Sequence, residues 1–220
     1  MAEIPLVALY DRRAGAVREV LGRIAPEAEV EALAAEAREA FALLADEIPY
    51  ADRRDHSMFE PAFGVFQWLA VFQAARARGI DAHRLGRSVL ALRLPALPGP
   101  PPPAILEKFR REAEASQRSG DPSEFVFELV EGDGDETDWG IDITSCAVCH
   151  AFGRHEAMEL VPYMCATDDV MSDAADQGLR RSGTIALGSP RCDFRYKQGG
   201  EPRRLAASHP DAIRVGSEGE

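Results

Sequence analysis

The sequence predicts an α+β fold, with N-terminal helices followed by a small antiparallel sheet that has helices packed on it. Two observations lead there. Apolar residues recur at helical spacing through the first part of the chain, and beyond Gln117 the spacing drops to two. Before that change comes a proline run, Pro98 to Pro103, which suits neither a helix interior nor a central strand and reads as an extended connector. The 220 residues then divide into a helical region, 1–97, the connector, 98–103, an α+β domain, 104–197, and a loose tail, 198–220, rich in Gly, Pro, Arg and Glu.

The elements follow in order. Leu6 to Ile24 sets Leu9, Val17, Val20, Leu21 and Ile24 on one helical face, and Val30 to Leu44 does the same with Leu33, Ala37, Phe41 and Leu44. Phe59 to Arg78 is apolar on more than one face, which predicts a central buried helix with Pro61 in its first turn. Gly79 stops it, and Asp81 caps a shorter helix from Ala82 to Leu90. A helix from Ala104 to Gln117 follows the prolines. Phe125, Phe127 and Leu129, then Trp139, Ile141 and Ile143, alternate with other residues on either side of the acidic turn 131–136, which predicts a hairpin. That turn lacks the ligand spacing of a calcium-binding loop. Helical pieces are expected over Cys146–Gly153 and His155–Ala175, with Pro162 starting or kinking the second. Two last strands, Ser182–Leu187 and Arg191–Lys197, are expected around the turn Gly188-Ser189-Pro190.

Composition narrows the function classes. A formal charge of −12 with scattered arginines argues against nucleic acid, since phosphate binding needs a concentrated basic face. No apolar stretch approaches the length of a membrane span, and Met1-Ala2-Glu3-Ile4-Pro5 lacks the basic start and apolar run of a secretory signal. The expectation is a cytoplasmic protein that handles a small molecule and binds neither nucleic acid nor membrane, with oligomer formation left open. In a reducing compartment its four cysteines, all beyond residue 145, read as thiols, metal ligands or catalytic groups.

Those cysteines hold the densest chemistry. Cys146-Ala147-Val148-Cys149-His150 has the spacing of a covalent haem site, but that attachment takes place outside the cytosol and no export signal is visible. A thioredoxin-like reading of the same pair lacks the βαβ context. A structural zinc site is the alternative cofactor reading, with Cys146, Cys149, Cys165 and Cys192 as ligands and His150 or His155 nearby in sequence. Otherwise no cofactor is expected.

Cys146, the step Cys165-x2-Asp168, and the run Arg181-x2-Thr184-Ile185-x2-Gly188-x3-Cys192-Asp193-Phe194-Arg195-Tyr196 together resemble the C-terminal signature of the L-2-amino-thiazoline-4-carboxylic acid hydrolase family. The resemblance spans about residues 146–196 and does not include Cys149 or His150. It implies a hydrolase that opens a cyclic amidine: water adds at the carbon between nitrogen and sulfur to give N-carbamoyl-L-cysteine, an activity assigned to carbon–nitrogen bonds other than peptide bonds.

The residue types suit that chemistry, because a protonated amidine carbon is electrophilic and needs a thiolate or an activated water, with carboxylates to hold the cationic ring. If Pro162 opens a helix, Cys165 lies near its N-terminus, where backbone dipoles lower a thiol pKa. Cys165 is then the candidate nucleophile, Asp168 the amidinium partner, and His150 or His155 the proton carrier. Cys146 and Cys192 would line the pocket, Arg181 or Arg195 would hold a substrate carboxylate, and Thr184 and Asp193 complete the binding set. Two further classes stay open. One is a small-molecule-binding or sensor module like the vinyl-reductase-type domains, which the same region resembles. The other is a zinc-stabilised protein.

Overall fold

The computed structural model describes residues 4–92 and 101–203. It is α+β: eight α-helices and a three-stranded antiparallel sheet among the described residues. The first half of the proline connector, residues 98–100, falls outside them. Pro101 and Pro102 precede a helix that begins at Pro103, and the tail from 204 onward also lies outside.

The first predicted helix is two, α1 (Leu6–Arg12) and α2 (Ala14–Ile24), interrupted at Arg13. The Arg13 guanidinium leaves the helix axis to pair with Glu60 and cover the Phe63 ring at 4.6 Å, a tertiary contact that the local period does not encode. Helix α3 (Glu27–Leu44) buries Leu33, Ala37, Phe41 and Leu44, the face expected of it. Helix α4 (Phe59–Arg76) is buried nearly all round and packs against α3, as a helix without a polar face must. Asp81 caps α5 (Ala82–Leu90) by accepting the Arg84 N–H at 2.7 Å.

Helix α6 (Pro103–Ser119) lies along strand β1 (Val126–Glu131) and covers that sheet edge: Ser116 Oγ accepts the Phe127 N–H at 3.1 Å, and Gln117 Nε2 donates to Phe127 O. The hairpin to β2 (Trp139–Ser145) turns through the acidic loop, where Asp133 Oδ1 accepts the N–H groups of Asp135, Glu136 and Thr137. Strand β3 (Cys192–Tyr196) pairs with β2 in the register Ile143↔Cys192 to Trp139↔Tyr196. The sheet order is β1-β2-β3.

The expected strand over Ser182–Leu187 does not form. Asp193 takes the Ser182 and Gly183 N–H groups at 2.9 and 3.0 Å, and Ile185–Leu187 coils into a 3₁₀ turn closed by Gly188 at φ 85°. The free edge of β3 is met instead by Arg180, which exchanges two backbone hydrogen bonds with Arg195. The helix expected over His155–Ala175 also starts late. After α7 (Ala147–Arg154), Glu156 takes a positive φ of 50°, Met158–Leu160 form a 3₁₀ turn, and α8 (Val161–Ala174) begins with Pro162 in its first turn.

One continuous set of buried apolar residues runs from Phe41 and Phe66 through Phe127 and Ile141 to Cys146 and Cys192. Helices α5 and α8 approach closely enough that Tyr163 lies against Gly86: a Cβ built on Gly86 would overlap the ring. The same tyrosine is held from His83, whose Nδ1 lies 2.6 Å from its hydroxyl. Gly86→Ala is therefore expected to destabilise the fold by about 1–3 kcal/mol, the usual cost of overpacking, read as a lower urea midpoint at unchanged slope. No described helix is long and apolar enough to cross a membrane.

Candidate functional site

The register places the thiols before any side chain is considered. Cys192 opens β3 opposite Ile143, and β2 ends two residues later at Ser145, so Cys146 follows at the same end of the sheet. Cys146 is the N-cap of α7, with extended φ/ψ of −108° and 108°, and Cys149 stands three residues on in the helix's first turn. Helix α8 supplies Cys165, Asp168 and Asp169, spaced three and four apart on one face. All four thiols are free.

Arg181 ties α8 to the loop before β3. Its side chain is inaccessible to solvent, with Nη1 donating to Asp168 Oδ2 at 3.2 Å and Nη2 to Asp169 Oδ2 at 2.6 Å and to the Cys165 carbonyl at 3.0 Å. The guanidinium lies 5.0 Å from the Phe194 ring centroid. Burial opposes its charge, and the two aspartates outweigh burial and hold it protonated.

Asp168 carries the sharpest signal in the cluster. It is surrounded by protein, which raises its pKa, and Arg181 only partly restores it, leaving the carboxyl at about 6. Yet 39% of its side-chain surface remains accessible. The carboxylate is thus fixed by Arg181 on one side and open on another. Cys165 behaves alike, set deep in the protein yet not closed to solvent.

The thiols differ from one another. Burial and the neighbouring Asp168 push Cys165 well above an ordinary thiol. The expected lowering by a helix N-terminus is not met, because Cys165 is the fifth residue of α8, beyond the first turn where the dipole acts. Burial likewise raises Cys192 to about 12, although its Sγ accepts the Ile185 N–H at 3.3 Å. Cys146 alone moves down. The adjoining Cys149 thiol contributes most, burial opposes, and the Cys149 and Val148 N–H groups at the start of α7 add to the lowering without closing a cap hydrogen bond of ordinary geometry. Cys149 is raised in turn, first by its neighbour Cys146 and then by burial. Cys146, Cys165, Cys192, Asp168 and Arg181 act electrostatically on one another, so they form one cluster.

The other expected site residues have different surroundings. Asp193 clamps the loop through Ser182 and Gly183. Burial raises its carboxyl, and the hydrogen bonds from Ser182 and Gly183 outweigh that and hold it low. Arg195 crosses Gly140 to reach Asp142 at 2.7 Å, a buried carboxylate that also pairs with Arg191. Any Cβ at position 140 would strike the Phe194 carbonyl, so glycine is required there. Thr184 is fully buried near Cys192, and its Oγ1 has no hydrogen-bond partner among the described residues. His150 is exposed and bonds Ser145, while His155 bonds Glu47 and Gln73. The hydrogen-bond partners of the two histidines are thus a hydroxyl, a carboxylate and an amide rather than a thiol. Asp169, unassigned from sequence, proves to be the closer partner of Arg181; its place four residues after Cys165 was the available sign.

Among the described residues no three His, Cys, Asp or Glu side chains converge as a metal-ligand set. A hollow of about 250 Å³ lies against Arg180, Arg181, Ser182, Asp193 and Arg195, and none of the thiols lines it. Another, of about 180 Å³ between α1, α2 and α3, contains none of the site residues.

No curated protein and no solved structure gives a significant match to the chain. A family model described as L-2-amino-thiazoline-4-carboxylic acid hydrolase matches residues 102–196. That span runs from the start of α6 to the end of β3 and holds all four cysteines with Asp168, Asp169 and Arg181. The C-terminal segment of this chain, the part that builds the thiol cluster, therefore carries the L-2-amino-thiazoline-4-carboxylic acid hydrolase pattern that its own residues suggested.

Proposed function

We propose that the chain is a hydrolase of cyclic amidines of the 2-aminothiazoline-carboxylate type, with Cys146 as nucleophile and Asp168 as partner of the amidinium. One observation carries the reading: Cys146, at the start of α7, and the partly open Asp168 carboxylate, fixed by the buried Arg181, belong to the same cluster. The match of this segment to a hydrolase family supports it.

The steps balance as follows. The Cys146 thiolate adds to the protonated amidine carbon, which the Asp168 carboxylate holds by charge. The ring carbon–sulfur bond breaks and the ring sulfur leaves as a thiolate, so the carbon is carried on Cys146 as an isothiouronium. Water adds to that carbon, the Cys146 thiolate departs, and the water protons pass to Asp168 and solvent, leaving a carbamoyl group and a free thiol. Ring opening to a carbamoyl-cysteine thus breaks the carbon–sulfur bond rather than the carbon–nitrogen bond expected from the sequence.

Cys165 and Cys192, both held as neutral thiols at neutral pH, stand beside Cys146 and Asp168 in the cluster. Arg181 fixes the Asp168 carboxylate while Asp169 balances its charge, which makes it a positioning residue rather than a carboxylate receptor.

Two measurements test the reading. Because Asp168 must be ionised to hold the cation, kcat/KM is expected to rise with pH through about 6 and to fall below it. Asp168→Asn should remove that limb and lower kcat/KM by about 10²-fold or more. A flat acid limb in the wild type, or an unchanged limb in Asp168→Asn, would remove Asp168 from the site.

A further inference from the structure

Cys149 stands outside the signature that carries the proposed reaction, yet the fold sets it in a defined geometry beside Cys146. Strand β2 runs directly into α7, with Cys146 as N-cap and Cys149 in the first turn. His150 N–H bonds the Cys146 carbonyl at 3.1 Å, the first bond of the α7 ladder, so the turn from Cys146 to Cys149 is helical. Regular helix geometry puts Cα atoms three residues apart at about 5 Å. That lies inside the range of roughly 4.4–6.8 Å that a disulfide spans.

We propose that Cys146 and Cys149 are a peroxide-sensitive dithiol, which closes to an intrahelical disulfide on oxidation and reopens with thiol reductants. The chemistry is balanced in two steps. Hydrogen peroxide oxidises the Cys146 thiolate: sulfur bonds one peroxide oxygen, the O–O bond breaks, and with one proton the products are a sulfenic acid and water. Cys149 then attacks the sulfenic sulfur, giving up its proton as the hydroxide leaves, so the disulfide and a second water result. Two external thiols reverse it, becoming a disulfide themselves.

Three features favour this pair and this oxidant. Cys146 is 8% exposed, which admits a molecule the size of peroxide more readily than a bulky disulfide. Cys149 keeps a partly open side, and the strongest influence on each of the two thiols is the other. Cys165 and Cys192 belong to other elements, with the Cys192 sulfur already bonded by the Ile185 N–H. A thiolate at a helix start beside a resolving thiol is the arrangement of redox-sensing cysteines. If the proposed reaction is right, the disulfide withdraws its nucleophile, so oxidation switches the site off; only this consequence rests on that reading.

The test uses the full chain. After peroxide, thiol titration of the unfolded protein should fall from four free cysteines to two. Peptide mapping should find Cys146 joined to Cys149, and dithiothreitol should restore four thiols together with turnover. Cys149→Ser should instead hold a sulfenic acid on Cys146 that dimedone captures, and its loss of turnover should become irreversible as oxidation proceeds. Cys165→Ser serves as a second variant and should still form the disulfide. Four thiols surviving in peroxide, or a bridge joining other cysteines, would overturn the proposal. A Cys146–Cys149 disulfide with undiminished turnover would keep the dithiol but refute the switch and, with it, Cys146 as nucleophile.

Discussion

Cys146→Ala is expected to lower turnover of a 2-aminothiazoline carboxylate by roughly 10⁴-fold or more while leaving the unfolding transition within about 1 kcal/mol of wild type. The small stability cost follows from the chemistry removed, a single sulfur at the sheet end, in a residue whose backbone rather than side chain completes the first turn of α7. Cys165→Ala should differ in kind. Its thiol is neutral at working pH, so its loss removes packing beside Asp168 rather than the attacking group and should weaken binding, raising KM more than it lowers kcat. Measured side by side, the two variants assign the nucleophile. If Cys165→Ala is the dead enzyme and Cys146→Ala retains kcat, then the thiol with the lower pKa is not the one that reacts.

The largest effect on stability is expected at Arg181. Replacing it with leucine leaves Asp168 and Asp169 facing each other inside the protein without their cation, and breaking a buried pair in this way costs about 3–5 kcal/mol. The sign with pH is determined. Without Arg181 both carboxyls become harder to ionise, so the variant's deficit should be greatest near neutrality and should shrink as pH falls and the acids take up protons. Chemical denaturation at about pH 5 and about pH 8 reads the difference. Adding Asp169→Leu to the Arg181 variant should recover part of the loss, because a buried apolar pair replaces an orphaned charge. A deficit that does not change with pH would mean that Arg181 stabilises through packing on Phe194 instead.

Much of the fold could be read from local chemistry. The Asp81 cap, the Gly79 stop, the two-sided apolar run of α4 and the hairpin spacing all act within a few residues, and each element stands where those residues put it. The failures come from contacts distant in sequence. Ser182 to Leu187 has the composition of a strand, but the N–H groups of Ser182 and Gly183 go to a carboxylate eleven and ten residues away, which no local pattern foretells. The first helix is interrupted at Arg13, whose side chain pairs with Glu60 on α4.

The site shows the same division. Order and spacing gathered Cys146, Cys165, Asp168, Arg181 and Cys192 into one candidate group, but their electrostatic roles depended on positions finer than a sequence pattern gives. One residue of helix boundary makes Cys146 an N-cap instead of a helical residue, and three residues remove Cys165 from the influence of the α8 terminus. Arg181 and Arg195 carry the right group for a substrate carboxylate, yet buried aspartates of the chain itself already occupy both.

The most direct measurement is mass spectrometry of the product formed from a 2-aminothiazoline-4-carboxylate by the full-length reduced protein. The expected product is the substrate plus one water, with its ring open and its sulfur free to react with an alkylating agent. Stoichiometric binding with the substrate recovered unchanged would contradict a hydrolase and identify the thiol cluster as the wall of a binding site.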